Sequence, residues 1–166
     1  MERLERYAAG GYHPTEIGHI LHERYEIVDK LGYGGWALVW LAYDRQLKQL
    51  VAVKVGVANC LPHEAKILQT LGSPSTAVCP AAIPRVLDEF SINGPNGCHP
   101  CYTTSPALCS LPQSSFSRLF RVEVARALAY ELTLAVAYVH SRGFVHGGSS
   151  LTNFHLETWI HTLRNS

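Results

Sequence analysis

Net charge is what this chain has least of: 14 Lys and Arg stand against 13 Asp and Glu, a formal +1 over 166 residues. That balance excludes the bulk attraction to nucleic acid or anionic membrane that clustered Lys and Arg provide. Long apolar runs are also lacking. The N-terminal MERLERYAAGG holds nothing resembling a signal peptide. The stretch from Leu132 to Val139 is interrupted by Thr133 and is far too short to span a bilayer. No internal repeat is visible. The expectation is an intracellular chain, in cytoplasm or nucleus, with neither membrane nor nucleic acid as partner. Apolar material itself is plentiful, at 47% hydrophobic against 16% charged. Disorder along the whole length is therefore excluded, and the length suits one domain, or one domain and part of another.

A metal-binding cysteine pattern is missing too. The five cysteines, 60, 79, 98, 101 and 109, are odd in number and point to reduced thiols. Cys98 and Cys101 form a C-x-x-C, yet no second pair supplies the further ligands that zinc needs. A redox pair would open a helix, whereas Tyr102-Thr103-Thr104-Ser105-Pro106 follows here. Ordinary strand cysteines are the commoner explanation.

Along the chain, residues 1–24 read as an N-terminal tail, the first dozen of them loose. Tyr25 to Val28 alternates as a strand, Leu31 to Gly35 gives a Gly-rich turn, and Leu38 to Tyr43 returns. A polar turn, Asp44 to Gln49, leads to the apolar strand Leu50 to Val55. Pro62-His63-Glu64 opens a short helix that Gly72 stops. Arg85 to Ile92 and Cys98 to Thr103 read as two more strands around Asn93-Gly94-Pro95-Asn96-Gly97. Ser105 to Ser117 looks like a connector. Val122, Ala125, Leu128, Ala129, Leu132, Ala135, Val136 and Val139 then share one face of a long helix that Gly143 is placed to cap. The order is five strands with a helix after the third, a connector, and a helix.

Three features could carry chemistry. Leu31-Gly32-Tyr33-Gly34-Gly35-Trp36-Ala37-Leu38-Val39 lies on a strand-turn-strand, where glycines let backbone N–H groups come close to phosphates. Most Gly-rich turns bind nothing, and this one is not a P-loop, which needs Gly-Lys-Ser/Thr opening a helix. Lys54 ends the strand Val51-Ala52-Val53; such lysines are often merely solvated strand ends. Glu64 sits in a helix's first turn, which suits the dipole whether or not it pairs with anything. Together, and in this order, the three match a nucleotide site in which Lys54 meets the phosphates and Glu64 holds Lys54.

These residues resemble those of eukaryotic serine/threonine protein kinases, and the wider sequence resembles the SR-protein-specific branch. Tyr12-His13-Pro14, Ile17-Gly18, Arg24-Tyr25, Lys30-Leu31-Gly32-Tyr33-Gly34 and Val39-Trp40-Leu41-Ala42 are similar to that branch's entry sequence. Ala37 takes the place of the third loop glycine. Asn96-Gly97-Cys98-His99-Pro100-Cys101 is similar to its fifth strand, and Phe144-Val145-His146 to the approach to the catalytic loop. The resemblance runs from about Tyr12 to His146. It implies an α+β fold: a kinase N-lobe over 25–104, with a five-stranded antiparallel sheet and one helix, then a hinge and connector over 105–121. The first helices of an incomplete C-lobe would occupy 122–166. It further implies ATP with Mg2+ as cofactors. The binding set would be Leu31, Gly32, Tyr33, Gly34, Gly35, Trp36, Ala37, Val39, Ala52 and Lys54, with Lys54 and Glu64 catalytic. Arginine/serine-rich protein substrates are implied by family alone.

The likeness fails after His146. Gly148 stands where H-R-D-L-x-x-x-N carries its aspartate base, a loss that typically costs ~10²–10⁴ in rate. Asn153 falls at the magnesium-binding asparagine's position. No Asp-Phe-Gly or Ala-Pro-Glu follows before Ser166. The expectation is a chain truncated in the catalytic loop and inactive by itself. The alternatives are a non-catalytic pseudokinase or interaction module, and a truncated gene product. The long helix, without partner helices, would then expose Leu128, Leu132 and Val136 and favour association.

Overall fold

A computed structural model describes residues 3–72, 83–107 and 120–145. They fall into two units, the first within Met1–Gln69 and Arg85–Pro106, the second within Thr70–Pro84 and Ala107–Ser166.

The first unit is built on a six-stranded sheet in the order β1-β2-β3-β4-β6-β5. Its strands are β1 (Ile20–Leu21), β2 (Tyr25–Tyr33), β3 (Ala37–Asp44), β4 (Gln49–Gly56), β5 (Asp88–Gly94) and β6 (Gly97–Thr104), and helix α1 (His63–Gly72) follows β4. Every pairing is antiparallel. The five expected strands are all present. The sixth, β1, has two residues, too few for any alternation to betray it. β2 also runs further than expected, to Tyr33, because Gly32 and Tyr33 pair with Val39 and Leu38. Two register shifts, between Ile27 and Asp29 and between Lys30 and Gly32, leave Val28 and Leu31 as extra residues. Bulges of this kind break the period-two pattern that marks a strand in sequence.

One face of the sheet forms the core. Tyr25, Ile27, Leu38, Trp40, Ala42, Val51, Val53 and Val55 pack there with Phe90 and Cys101. Burying each aliphatic side chain stabilises the fold by roughly 1.5–3 kcal/mol over an exposed position. Tyr12 and Leu21 belong to the same cluster, with Tyr7 packed against it. Residues 3–12, expected as part of a loose tail, are ordered against the sheet: Tyr12 is buried, and a 3-10 turn at Leu4–Arg6 precedes it. Arg24 and Asp44 fasten the strand ends. The guanidinium donates from Nε to Asp44 Oδ1 at 2.9 Å and from Nη2 to Oδ2 at 2.7 Å. The backbone N–H groups of Gln46 and Leu47 also donate to Oδ1.

In the second unit α2 (Val122–Ser141) is the long helix expected. Gly143 takes φ +79° past its end, and its N–H donates to His140 O at 2.9 Å, the left-handed cap that glycine allows without strain. Ala135 and Tyr138 are buried, whereas Leu128, Leu132 and Val136 are half-buried. Tyr138 Oη donates to Leu71 O at 2.6 Å, and Arg142 Nη2 to Thr70 O at 2.9 Å.

Candidate functional site

Strand register brings the separate sequence candidates into one row. Gly32 on β2 pairs with Val39 on β3, Val39 pairs with Lys54 on β4, and Lys54 pairs with Tyr102 on β6. Residues paired directly across antiparallel strands share a face. This row therefore lies on the face opposite Trp40 and Val53. Ala52 joins it two residues from Lys54, paired with Leu41. Leu31, Gly32 and Tyr33 end β2, Gly34, Gly35 and Trp36 form the turn, and Ala37 and Val39 begin β3. Tyr33 and Trp36 are 52% and 79% exposed, so the turn presents its aromatic side chains to solvent.

Lys54 reaches across to α1. Its Nζ donates to both carboxylate oxygens of Glu64, at 2.6 Å to Oε1 and 2.7 Å to Oε2. Sequence order alone could not show this, since ten residues and a loop separate the two. With Glu64 57% exposed, the pair contributes little to stability; what it supplies is a fixed position for the ammonium. The Lys54 ammonium also lies 5.8 Å from the centre of the Tyr102 ring. Burial first, and then the negative charge of Glu64, pushes the Tyr102 phenol well above its ordinary range. Tyr102 therefore stays neutral beneath the ion pair. Sequence reasoning had placed Tyr102 only within the strand Cys98 to Thr103; its pairing with Lys54 is what brings it to the site.

The turn is held from outside the hairpin. Gly34 N–H donates to Ala37 O at 2.9 Å and closes the turn, and Val57 N–H donates to Trp36 O at 3.0 Å. Tyr12 Oη donates to Gly34 O, and Arg6 Nη1 to Gly35 O at 2.7 Å.

Cys98 and Cys101 do not converge. Cys98 is exposed and Cys101 is buried, as an i, i+3 spacing on a strand requires. Burial pushes the Cys101 thiol up to about 12. Gly148 and Asn153, the remaining sequence candidates, lie outside the described residues, as does most of the 105–121 connector.

The chain is similar in structure to a crystal structure of a kinase domain, with a TM-score of 0.73 at 22% identity, covering 88% of this chain and 43% of that one. The fold is that of a protein kinase. Sequence similarity points the same way. Protein kinase dsk1 of Schizosaccharomyces pombe is 37% identical over 158 residues, 87% of this chain and 29% of its own length. Serine/threonine-protein kinase spk-1 of Caenorhabditis elegans is 32% identical over 151 residues, 84% of this chain and 15% of its own length. Human SRSF protein kinase 3 is 38% identical over 101 residues, 57% of this chain and 18% of its own length. The chain thus resembles serine/threonine protein kinases, the SR-protein kinases among them, and spans less than a third of these three relatives. No family model matches it. Among the described residues no helix is long and apolar enough to cross a membrane.

Proposed function

We propose that this chain is the ATP-binding portion of a serine/threonine protein kinase. Residues 25–104 form the nucleotide lobe, 105–121 the connector and 122–166 the start of the helical lobe. The observation that carries the reading is the Lys54–Glu64 pair, set in the same row as Gly32 and Val39. Lys54 takes the α- and β-phosphates of ATP and Glu64 holds it in place. The Leu31–Ala37 turn covers the phosphates, while Val39 and Ala52 offer an apolar surface to the base. In this family magnesium neutralises charge on the phosphates as the γ-phosphoryl group moves to a substrate hydroxyl. Among the described residues no group of three His, Cys, Asp or Glu is placed to hold a metal ion, and Asn153 is the residue assigned to that task by sequence. Arginine/serine-rich protein substrates follow only from the likeness to SRSF protein kinase 3.

A fluorescent ATP analogue tests the reading. Removing a charge-assisted contact with Lys54→Met is expected to weaken binding by about tenfold or more; equal affinity for the two proteins would show the phosphate role to be wrong.

A second reading, a non-catalytic nucleotide-binding module, is favoured by Gly148, which puts no side chain where the family's base stands. Phosphate transfer to a generic basic protein decides between them. Turnover clearly above a Lys54→Met control removes the second reading.

A further inference from the structure

The N-terminal segment is built to grip the glycine-rich turn. Gly10 adopts φ +81°, and a Cβ on Gly11 would lie 1.9 Å from the carbonyl oxygen of Arg6. Those two glycines let the chain fold back on itself, with Gly11 N–H donating to Ala8 O at 2.8 Å and Tyr12 N–H to Arg6 O at 2.7 Å. The closed loop is anchored at its base. Gly10 N–H donates to Asn96 O, Asn96 Nδ2 donates to Tyr12 O, and Ala58 N–H donates to Gly11 O, all within 2.6–2.9 Å. From that fixed base Arg6 and Tyr12 reach out together. Arg6 Nη1 donates to both Tyr12 Oη and Gly35 O, its guanidinium lies 5.4 Å from the Tyr12 ring centre, and Tyr12 Oη donates to Gly34 O.

With Val57 N–H on Trp36 O, three consecutive carbonyls of the turn are occupied. In a planar trans peptide the N–H of the next residue points away from the carbonyl. Fixing Gly34 O and Gly35 O towards the N-terminal segment therefore turns the N–H groups of Gly35 and Trp36 to the opposite side. Successive backbone N–H groups facing one way form an anion-binding surface. We propose that Arg6 and Tyr12 are positioning residues for nucleotide binding: they set the Gly34 and Gly35 peptide planes so that the Gly35 and Trp36 N–H groups are presented to the phosphates of ATP. This inference rests on the ATP-binding reading above, and neither side chain touches the nucleotide itself.

Tyr12→Phe and Arg6→Gln test it in the full chain, with fluorescent ATP and adenosine analogues measured side by side. Freeing one of the two turn carbonyls in each variant is expected to weaken ATP-analogue binding by roughly 3–10-fold. The adenosine analogue, which has no phosphates, is expected to bind as before. The double variant is expected to fall short of the product of the two losses, because both side chains act on one turn. Chymotrypsin cleavage after the exposed Trp36, followed by mass spectrometry without nucleotide, is expected to accelerate in both variants. If wild type binds ATP and both variants bind it equally well, or lose adenosine to the same degree, the inference is overturned and the ATP reading stands. If neither wild type nor Lys54→Met binds ATP, the ATP reading fails and takes the phosphate role with it. Unchanged cleavage at Trp36 would refute the grip on the turn in either case.

Discussion

Asp44 gives the most exacting test of how this sheet is fastened. Its side chain is 1% exposed and receives two hydrogen bonds from Arg24 and two from the backbone of the following turn. The Arg24 guanidinium, followed by those backbone N–H groups, holds the carboxyl down to about 2 from an ordinary 3.8. Stabilising the charged form to that extent corresponds to roughly 2 kcal/mol. Asp44→Asn keeps the shape and removes the charge, leaving Arg24 with one partner fewer in a half-buried place. We expect it to lower stability at pH 7 by about 2–3 kcal/mol, or ~5–10 °C in Tm. The pH dependence carries the sharper information. The folded carboxyl takes up its proton near pH 2 and the unfolded one near 3.8. The contribution is therefore complete above the unfolded value and fades as pH falls from there towards 2. Thermal denaturation of both proteins by circular dichroism, from pH 7 to pH 2.5, should show the two curves converging over that window. Parallel curves, or equal stability at pH 7, would refute the reasoning.

Three further outcomes follow from the geometry. Gly11→Ala sets a Cβ against the Arg6 carbonyl at 1.9 Å and should lower stability by about 1–3 kcal/mol in urea denaturation, whereas Gly10→Ala at φ +81° should cost less because nothing stands within 4 Å. Cys98 is exposed and Cys101 is buried with its thiol pushed up to about 12, so iodoacetamide at pH 8 should label Cys98 many times faster, read by peptide mass spectrometry. Tyr138→Phe removes the 2.6 Å bond to Leu71 O and should cost roughly 1 kcal/mol in the same urea assay.

The parts of the fold legible in sequence are those set by local pattern. Val51-Ala52-Val53 reads as a strand because a short apolar run between bounding turns has no other use, and Gly34-Gly35 marks the turn between β2 and β3 by composition. Lys54 and Glu64 were visible as candidates, but their contact depends on how α1 lies beside β4. The role of residues 6–12 was hidden because charge and paired glycines imitate a solvated tail. What orders them is non-local: Asn96 and Ala58 anchor the backbone, and Gly34 and Gly35 receive the side chains. The register shifts in β2 concealed its length for a similar reason, since pairing with β3 decides which residue is the extra one.

The Lys54–Glu64 pair also fixes a count. An ammonium has three N–H groups spread tetrahedrally, and the two Glu64 oxygens, at 2.6 and 2.7 Å, sit close enough together to share one of them. Two N–H directions then remain. On the ATP-binding reading proposed above, Lys54 bridges the α- and β-phosphates with those two without giving up Glu64, and α1 keeps its place beside β4 when nucleotide binds.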